Sequence, residues 1–289
     1  MIETLQLDPI LLTIAAGLFG LLVGSFLNVV IHRLPLMMDR EWKSECAALL
    51  NSTSPVELSE PFNLMTPRSR CPNCNHHITA LENIPLFSYL LLGGKCRECK
   101  VKISLRYPLI ELISGGVAVV VAMHFGFTAA GACALGLSWS LISLSAIDFD
   151  TQLLPDSITL PLLWAGIVAN YFELFVSLEE SVLGAIFGYL SLWLVFWGFK
   201  LATGKDGMGY GDFKLLAVLG AWLGWQVLPI VIILSSVVGA CVGIAMMVFT
   251  SHDKSKPIPF GPYLAVAGWI ALLWGDDITR QYLFGSGAL

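Results

Sequence analysis

Two acids stand out among the residues able to do chemistry. Asp212 sits in Gly209-Tyr210-Gly211-Asp212-Phe213-Lys214, a glycine-rich turn where a charged loop gives way to an apolar run. Asp148 sits in Ile147-Asp148-Phe149-Asp150, at the end of another apolar run and shortly before Leu154-Pro155-Asp156. An acid at a membrane boundary is costly enough to be a functional candidate, and flanking glycines permit close backbone approach. Two acids sharing a site cannot both ionise cheaply, so one proton is held between them. That state suits aspartic-protease chemistry: the ionised partner takes a proton from water while the protonated one polarises the scissile carbonyl. Such a pair titrates as a unit, and separate roles are not assigned. Asp150 and Asp156 are rival acids. Asp156, between Pro155 and Ser157, reads as a helix N-cap, and Asp150 as a supporting group. Lys214 either holds down the charge of the pair or only adds to the basic side of the chain.

A second constellation is built from sulfur. Cys71-Pro72-Asn73-Cys74 and Cys96-Arg97-Glu98-Cys99 are paired C-x-x-C knuckles. Each places two thiolates on a tight turn, and the two turns together close a tetrahedral zinc site. Four cysteines leave no open coordination position, so the metal is structural rather than catalytic. His76 and His77 read as surface histidines, and Cys46, Cys133 and Cys241 as ordinary thiols in apolar surroundings. No H-E-x-x-H occurs, which argues against a zinc protease.

The elements that carry these residues are membrane helices. The chain has 289 residues, of which 56% are hydrophobic and 13% charged, and its mean hydropathy is +0.76; charged residues in soluble domains run near a quarter. The net charge of −5 says less than its distribution. Met1 to Asp8 lacks the basic region of a removable signal peptide. Apolar runs near 10–31, 108–123, 131–147, 157–172, 181–199, 213–225, 228–249 and 260–275 give eight spans, with 213–225 short for a crossing. In the first, Gly17, Gly20 and Gly24 form a close-packing face, Asn28 needs a buried partner, and His32 and Arg33 read as snorkelling to the interface. Residues 32–106 are the only large polar insert, and Asp39 to Glu60 within it is expected to be mobile or loosely helical.

With eight spans, every Lys and Arg except Arg280 falls on one side, and Glu173, Glu179, Glu180, Asp276 and Asp277 fall on the other. The positive-inside rule then puts residues 32–106 in the cytoplasm and both termini outside. Asp148 closes the third span and Asp212 opens the sixth, both on the cytoplasmic edge. The expected fold is therefore an all-α polytopic integral membrane protein of about eight transmembrane helices, with a small zinc-knuckle cytoplasmic domain between the first and second. Its divisions are 1–31, a first helix; 32–106, the zinc-binding domain; and 107–289, a seven-helix membrane protease domain.

Four features together resemble the bifunctional type IV prepilin peptidases of bacteria: Gly24-Ser25-Phe26-Leu27-Asn28-Val29, the two C-x-x-C pairs, Asp148 followed by Leu154-Pro155-Asp156, and Gly209-Tyr210-Gly211-Asp212. The likeness runs in order from about residue 10 to beyond residue 260. Presenilin-like proteases share the G-x-G-D but have different spans around it and no such cysteine domain. The resemblance implies a bacterial inner-membrane enzyme with its active site at the cytoplasmic face. It implies cleavage of basic leaders from type IV prepilins and pilin-like secretion subunits (pseudopilins), then N-methylation of the new terminus by S-adenosylmethionine. By the same resemblance Asp148 and Asp212 are catalytic, and Cys71, Cys74, Cys96 and Cys99 bind Zn2+.

From the residues themselves the methyl-donor ligands are unknown, since no G-x-G-x-x-G follows a strand; region 32–106 with the Asn28 end of the first span is the candidate by exclusion. The acids Asp39, Glu41, Glu45, Glu57 and Glu60 form a solvated loop that can also attract a basic leader. The expected partners are prepilins, pseudopilins and the lipid bilayer, with no nucleic acid. Two other readings stand beside this one: a peptidase without methylation, and a transporter with a regulatory zinc domain. The second would place its acids nearer the bilayer midplane.

Overall fold

A computed structural model describes residues 8–50, 62–79, 81–249 and 258–284. Helices account for nearly all of the regular structure. Among the described residues there are no strands, only two isolated antiparallel bridges, Arg70 with His77 and Lys95 with Lys102. The chain divides into two compact units after Gly126, a glycine at φ +63° that ends the second long helix.

The N-terminal unit is a pair of helices carrying the cysteine region. Helix α1, Pro9–Leu49, starts at Asp8, whose Oδ1 accepts the N–H groups of Ile10 and Leu11, with Pro9 at the first turn where its missing N–H costs nothing. It packs against α2, Arg106–Phe125. Gly20 and Gly24 line that contact: a Cβ on either would meet the α2 backbone or Ser114 within 3 Å. The Asn28 amide finds its partner by donating to the Tyr107 carbonyl at 3.1 Å.

One expectation for this region changes, and another is met in its helical form. Arg33 does not snorkel. It is buried, and its guanidinium donates to the carbonyls of Asn63 and Pro67 at 2.9 and 2.6 Å, with the Phe62 ring beneath it. A buried guanidinium needs such acceptors, and a polar loop folded back on the helix supplies them. The stretch from Asp39, expected to be mobile or loosely helical, continues α1 to Leu49 with a Lys43–Asp39 pair at 2.6 Å. Its remainder, with Glu57 and Glu60, lies outside the described residues.

The C-terminal unit holds six helices: α3, Ala129–Thr151; α4, Asp156–Tyr171; α5, Leu178–Thr203; α6, Tyr210–Leu223; α7, Leu228–Phe249; and α8, Gly261–Phe284. The centre is α6. Of its 14 residues, 11 are buried, because α4, α5, α7 and α8 all pack on it. Gly184 of α5 and Gly220 of α6 face each other so closely that a Cβ on either would overlap the other's backbone. A 14-residue helix is only about 21 Å long, short of the roughly 30 Å of a hydrocarbon core. Neighbouring helices and a buried amide compensate. Asn170, fully buried, donates to the Ala221 and Trp222 carbonyls at the end of α6, and its Oδ1 accepts the N–H groups of Phe175 and Val176. Gly224 at φ +81° then ends the helix.

By length and composition, α1, α2, α3, α5 and α7 are long and apolar enough to cross a membrane, and Gly261–Gly275 of α8 is a shorter apolar helix.

Candidate active site and metal centre

Asp148 lies in the last turn of α3. That helix ends at Gln152 in the left-handed conformation, φ 56°, with its N–H bonded to the Asp148 carbonyl. Asp212 lies in the first turn of α6, whose N-cap is Gly209. Both acids are buried, at 5% and 7% exposure, and Leu154 lies against both Gly261, which touches Asp148, and Gly211, which adjoins Asp212. The two acids that the sequence singled out are thus brought together where one helix ends and another begins. A helix N-terminus favours an anion, which offsets part of the cost of burying Asp212 there.

A third helix end completes the arrangement. The backbone N–H of Gly261, at the head of α8, donates to Asp148 Oδ2 at 2.9 Å. A Cβ on Gly261 would lie 2.6 Å from that oxygen, so a larger residue there would have to displace the Asp148 carboxylate. Gly211 is also constrained by space: its Cβ would stand 2.8 Å from Leu154 Cβ. Leu154, in the link between α3 and α4, is wedged between the two glycines. Sequence reasoning missed Gly261; the available signal was Gly261-Pro262 opening an apolar run, a helix-start pattern.

Asp156 is not an N-cap. Pro155 occupies that position, and the Asp156 carboxylate receives Lys214 Nζ at 2.7 Å on both oxygens. The physical reason is that Lys214 lies one turn into α6, directly across from the start of α4. An ion pair joining two helix starts replaces a local cap, and it answers the open question of what Lys214 touches. Asp150 is exposed and carries interactions of its own.

The N-terminal unit gathers Cys71, Cys74, Cys96 and Cys99 so that all four sulfurs lie within 4.8 Å of one another. Cys71 Sγ is 3.7 Å from Cys99 Sγ, and Cys74 Sγ is 3.9 Å from Cys96 Sγ. Four sulfurs at 2.3 Å around zinc stand about 3.8 Å apart. The two knuckles are built alike. Asn75 and Lys100, both at φ 57°, return their N–H groups to the carbonyls of Cys71 and Cys96. Backbone N–H groups of Cys74 and Asn73 hold the Cys71 thiol below its ordinary value. The Asn73 side chain and the Val101 backbone pull Cys99 down to about 6. The His76 backbone pulls on Cys74 too, yet burial and the neighbouring thiols push it up to about 12. Sulfurs this close cannot all ionise without a cation between them, and the donor set fits a tetrahedral thiophilic metal.

His76 is not a simple surface histidine. Half-buried, it meets Glu82 at 3.2 Å, while Thr79 N–H and Oγ1 also donate to Glu82 Oε2 at 2.9 Å. Of the remaining cysteines, Cys46 and Cys241 are exposed and Cys133 partly so.

Comparison with known proteins agrees in both halves. The model of the bacterial peptidase A24 N-terminal domain matches residues 18–125, and that of the type IV leader peptidase family matches residues 135–244. A prepilin leader peptidase/N-methyltransferase of Pseudomonas aeruginosa is 56% identical over 287 residues, 99% of each chain. One of Aeromonas hydrophila is 60% identical over 92% of each chain, and one of Dichelobacter nodosus 50% identical over 93% of each. No solved structure matches the chain.

Proposed function

The chain belongs to the type IV leader peptidase family, and from that premise we propose that it is a membrane aspartic endopeptidase that removes the leaders of type IV prepilins and pilin-like secretion subunits and then N-methylates the new terminus. The observation that carries the peptidase half is the meeting of Asp148, in the last turn of α3, with Asp212, in the first turn of α6.

In this reading the two carboxyls work with one proton between them. One accepts a proton from the attacking water as the other donates to the scissile carbonyl oxygen, and the proton positions reverse when the amine leaves. Burial beside helix ends keeps the reacting groups from bulk water without closing them off. The Gly261 N–H fixes Asp148 Oδ2, leaving its other oxygen for the water or the partner acid.

All eight long helices cross the inner membrane in this reading, the short α4 and α6 sheltered by their neighbours. Lys and Arg on one side of the sequence put residues 32–106 and the dyad at the cytoplasmic face, where a substrate helix already in the bilayer presents its leader junction. Residues 32–106 form the zinc-binding domain between the first and second membrane helices, and residues 107–289 carry the peptidase helices. Cys71, Cys74, Cys96 and Cys99 hold one structural Zn2+, which cross-links two loops that bury little apolar surface of their own. S-adenosylmethionine supplies the methyl group.

The test is mass spectrometry of a prepilin incubated with purified protein and S-adenosylmethionine. Wild type removes the leader and adds one methyl group. Asp148→Asn and Asp212→Asn each lower cleavage by about a hundredfold or more, because one carboxyl cannot act as acid and base together, and neither yields methylated product from uncut prepilin. Substantial cleavage by both variants would overturn the assignment.

A further inference from the structure

The dyad does not use every buried acid. Glu111, in α2, is 9% exposed and stands on the face where Gly24 brings α1 into contact. A Cβ on Gly24 would lie 2.7 Å from Glu111 Cα. The close approach sets Ser25 beside the carboxylate. Glu111 Oε2 also accepts the backbone N–H of Leu86 at 2.9 Å. Leu86 is held at φ 57°, ψ −45°, an uncommon conformation for a bulky residue. Ser25 Oγ approaches Asn83 Oδ1 at 3.4 Å, and Asn83 is exposed, so the cluster runs from a buried carboxylate outward to solvent.

The electrostatics of this cluster are incomplete. The groups beside Glu111, the Ser25 hydroxyl and the Leu86 N–H that donates to it, are both neutral. Among the described residues no Lys, Arg or His pairs with Glu111. A carboxylate taken out of water carries a desolvation cost as an anion, which an arriving cation would offset. A residue required only for packing at this contact would not need a charge at all.

We propose that Glu111, with Ser25, Asn83 and the strained backbone at Leu86, receives an organic cation of the methyl-transfer step. The proposal rests on the bifunctional reading above. Two cations take part in that step: the methyl donor, which carries a sulfonium and an ammonium, and the ammonium of the freed pilin terminus. Both share the chemistry that Glu111 recognises, a positive charge on a group small enough to reach a carboxylate between two helices. The Leu86 N–H holds the carboxylate in place while leaving it without a counter-charge.

The experiment measures binding of labelled S-adenosylmethionine, without prepilin, to the full-length protein in lipid nanodiscs. Wild type is compared with Glu111→Gln and Glu111→Asp, and leader cleavage by the same preparations reports folding. If the site holds the donor, Gln weakens binding by about tenfold or more and Asp by less, with cleavage within about twofold of wild type. If it holds the pilin ammonium, donor binding is unchanged and Gln raises the KM for methylation of a leaderless pilin by about tenfold. Unchanged donor affinity together with an unchanged KM overturns the proposal. Should Glu111→Gln not fold, Asn83→Ala, at an exposed position, serves in its place, and no change in either readout is again fatal. A wild-type protein that cleaves but neither binds donor nor methylates overturns the bifunctional reading itself, and the proposal falls with it.

Discussion

The backbone N–H of Gly261 donates to Oδ2 of Asp148 at 2.9 Å, tying the first residue of α8 to the last turn of α3 across 113 positions of chain. In the proposed reading this hydrogen bond fixes a carboxyl that must be aligned with its partner acid to react.

Gly261→Ala is therefore expected to lower kcat for prepilin cleavage by about tenfold or more, a barrier increase of roughly 1.4 kcal/mol, with a smaller effect on KM. The added Cβ would stand 2.6 Å from Oδ2 and 3.2 Å from the carboxyl carbon of Asp148. Initial rates over a range of prepilin concentrations measure it. An unchanged kcat would mean that Asp148 does not need this contact.

How much of this was legible in the sequence follows from the range of each interaction. The proposed dyad could be read because two local patterns, apolar runs and a glycine-rich turn, combine with a rule about charge to put Asp148 and Asp212 on one expected side. The knuckles were visible because each is four residues long. Gly261 was not, since its partner is distant in sequence and a glycine before a proline has many ordinary uses. Arg33 was misread for the same reason: the carbonyls of Asn63 and Pro67 that bury it belong to a loop whose path no periodicity reveals. Asp156 looked like a cap because capping is local, whereas Lys214 competes for it from another helix. The short α6 was doubted on length alone, and only packing on four neighbours explains how it stands.

The cysteine cluster gives a prediction about metal. Purified protein is expected to carry about one zinc per chain. Cys99→Ser lowers that content, as elemental analysis reads it, and raises amide exchange across residues 62–79 while leader cleavage is retained. Methylation falls more than cleavage, because the metal stiffens the N-terminal unit rather than the dyad. Equal loss of both activities, with that unit still protected from exchange, would contradict this division.

Glu82 supplies a pH dependence outside the membrane helices. The Thr79 N–H donates to it, with further help from the Thr79 hydroxyl and His76, and together they hold its carboxyl down to about 2 despite burial. A carboxylate whose folded pKa is depressed stabilises above its unfolded value of about 4.5 and loses that contribution as pH falls toward 2. Glu82→Gln is expected to weaken the Thr79–Glu82 turn at neutral pH, read as faster exchange of the Thr79 amide. The gap between wild type and variant narrows as pH falls below about 4.5. Acid also protonates the thiolates, so the comparison is made between the two proteins at each pH. A gap that stays constant down to pH about 3 would show that the carboxylate charge does not hold this turn.

The last prediction concerns Lys214 and Asp156, whose contact joins the first turns of α6 and α4. Their side chains are 30% and 54% exposed, so the pair contributes only about 0–1 kcal/mol to stability. Its effect on activity is larger in proportion, because Lys214 is two residues from Asp212 and a small displacement of a reacting group is costly. Lys214→Met and Asp156→Asn are each expected to lower kcat about three- to tenfold, with Tm moving by no more than a few degrees. The reversed pair, Lys214→Asp with Asp156→Lys, separates two causes. If the ion pair acts as a clamp on the start of α6, reversal restores part of the lost rate. If Lys214 acts by its own positive charge on the dyad, reversal is worse than either single change, since it places an added carboxylate two residues from Asp212. A rate in the reversed protein below both single variants would therefore exclude the clamp and leave the charge.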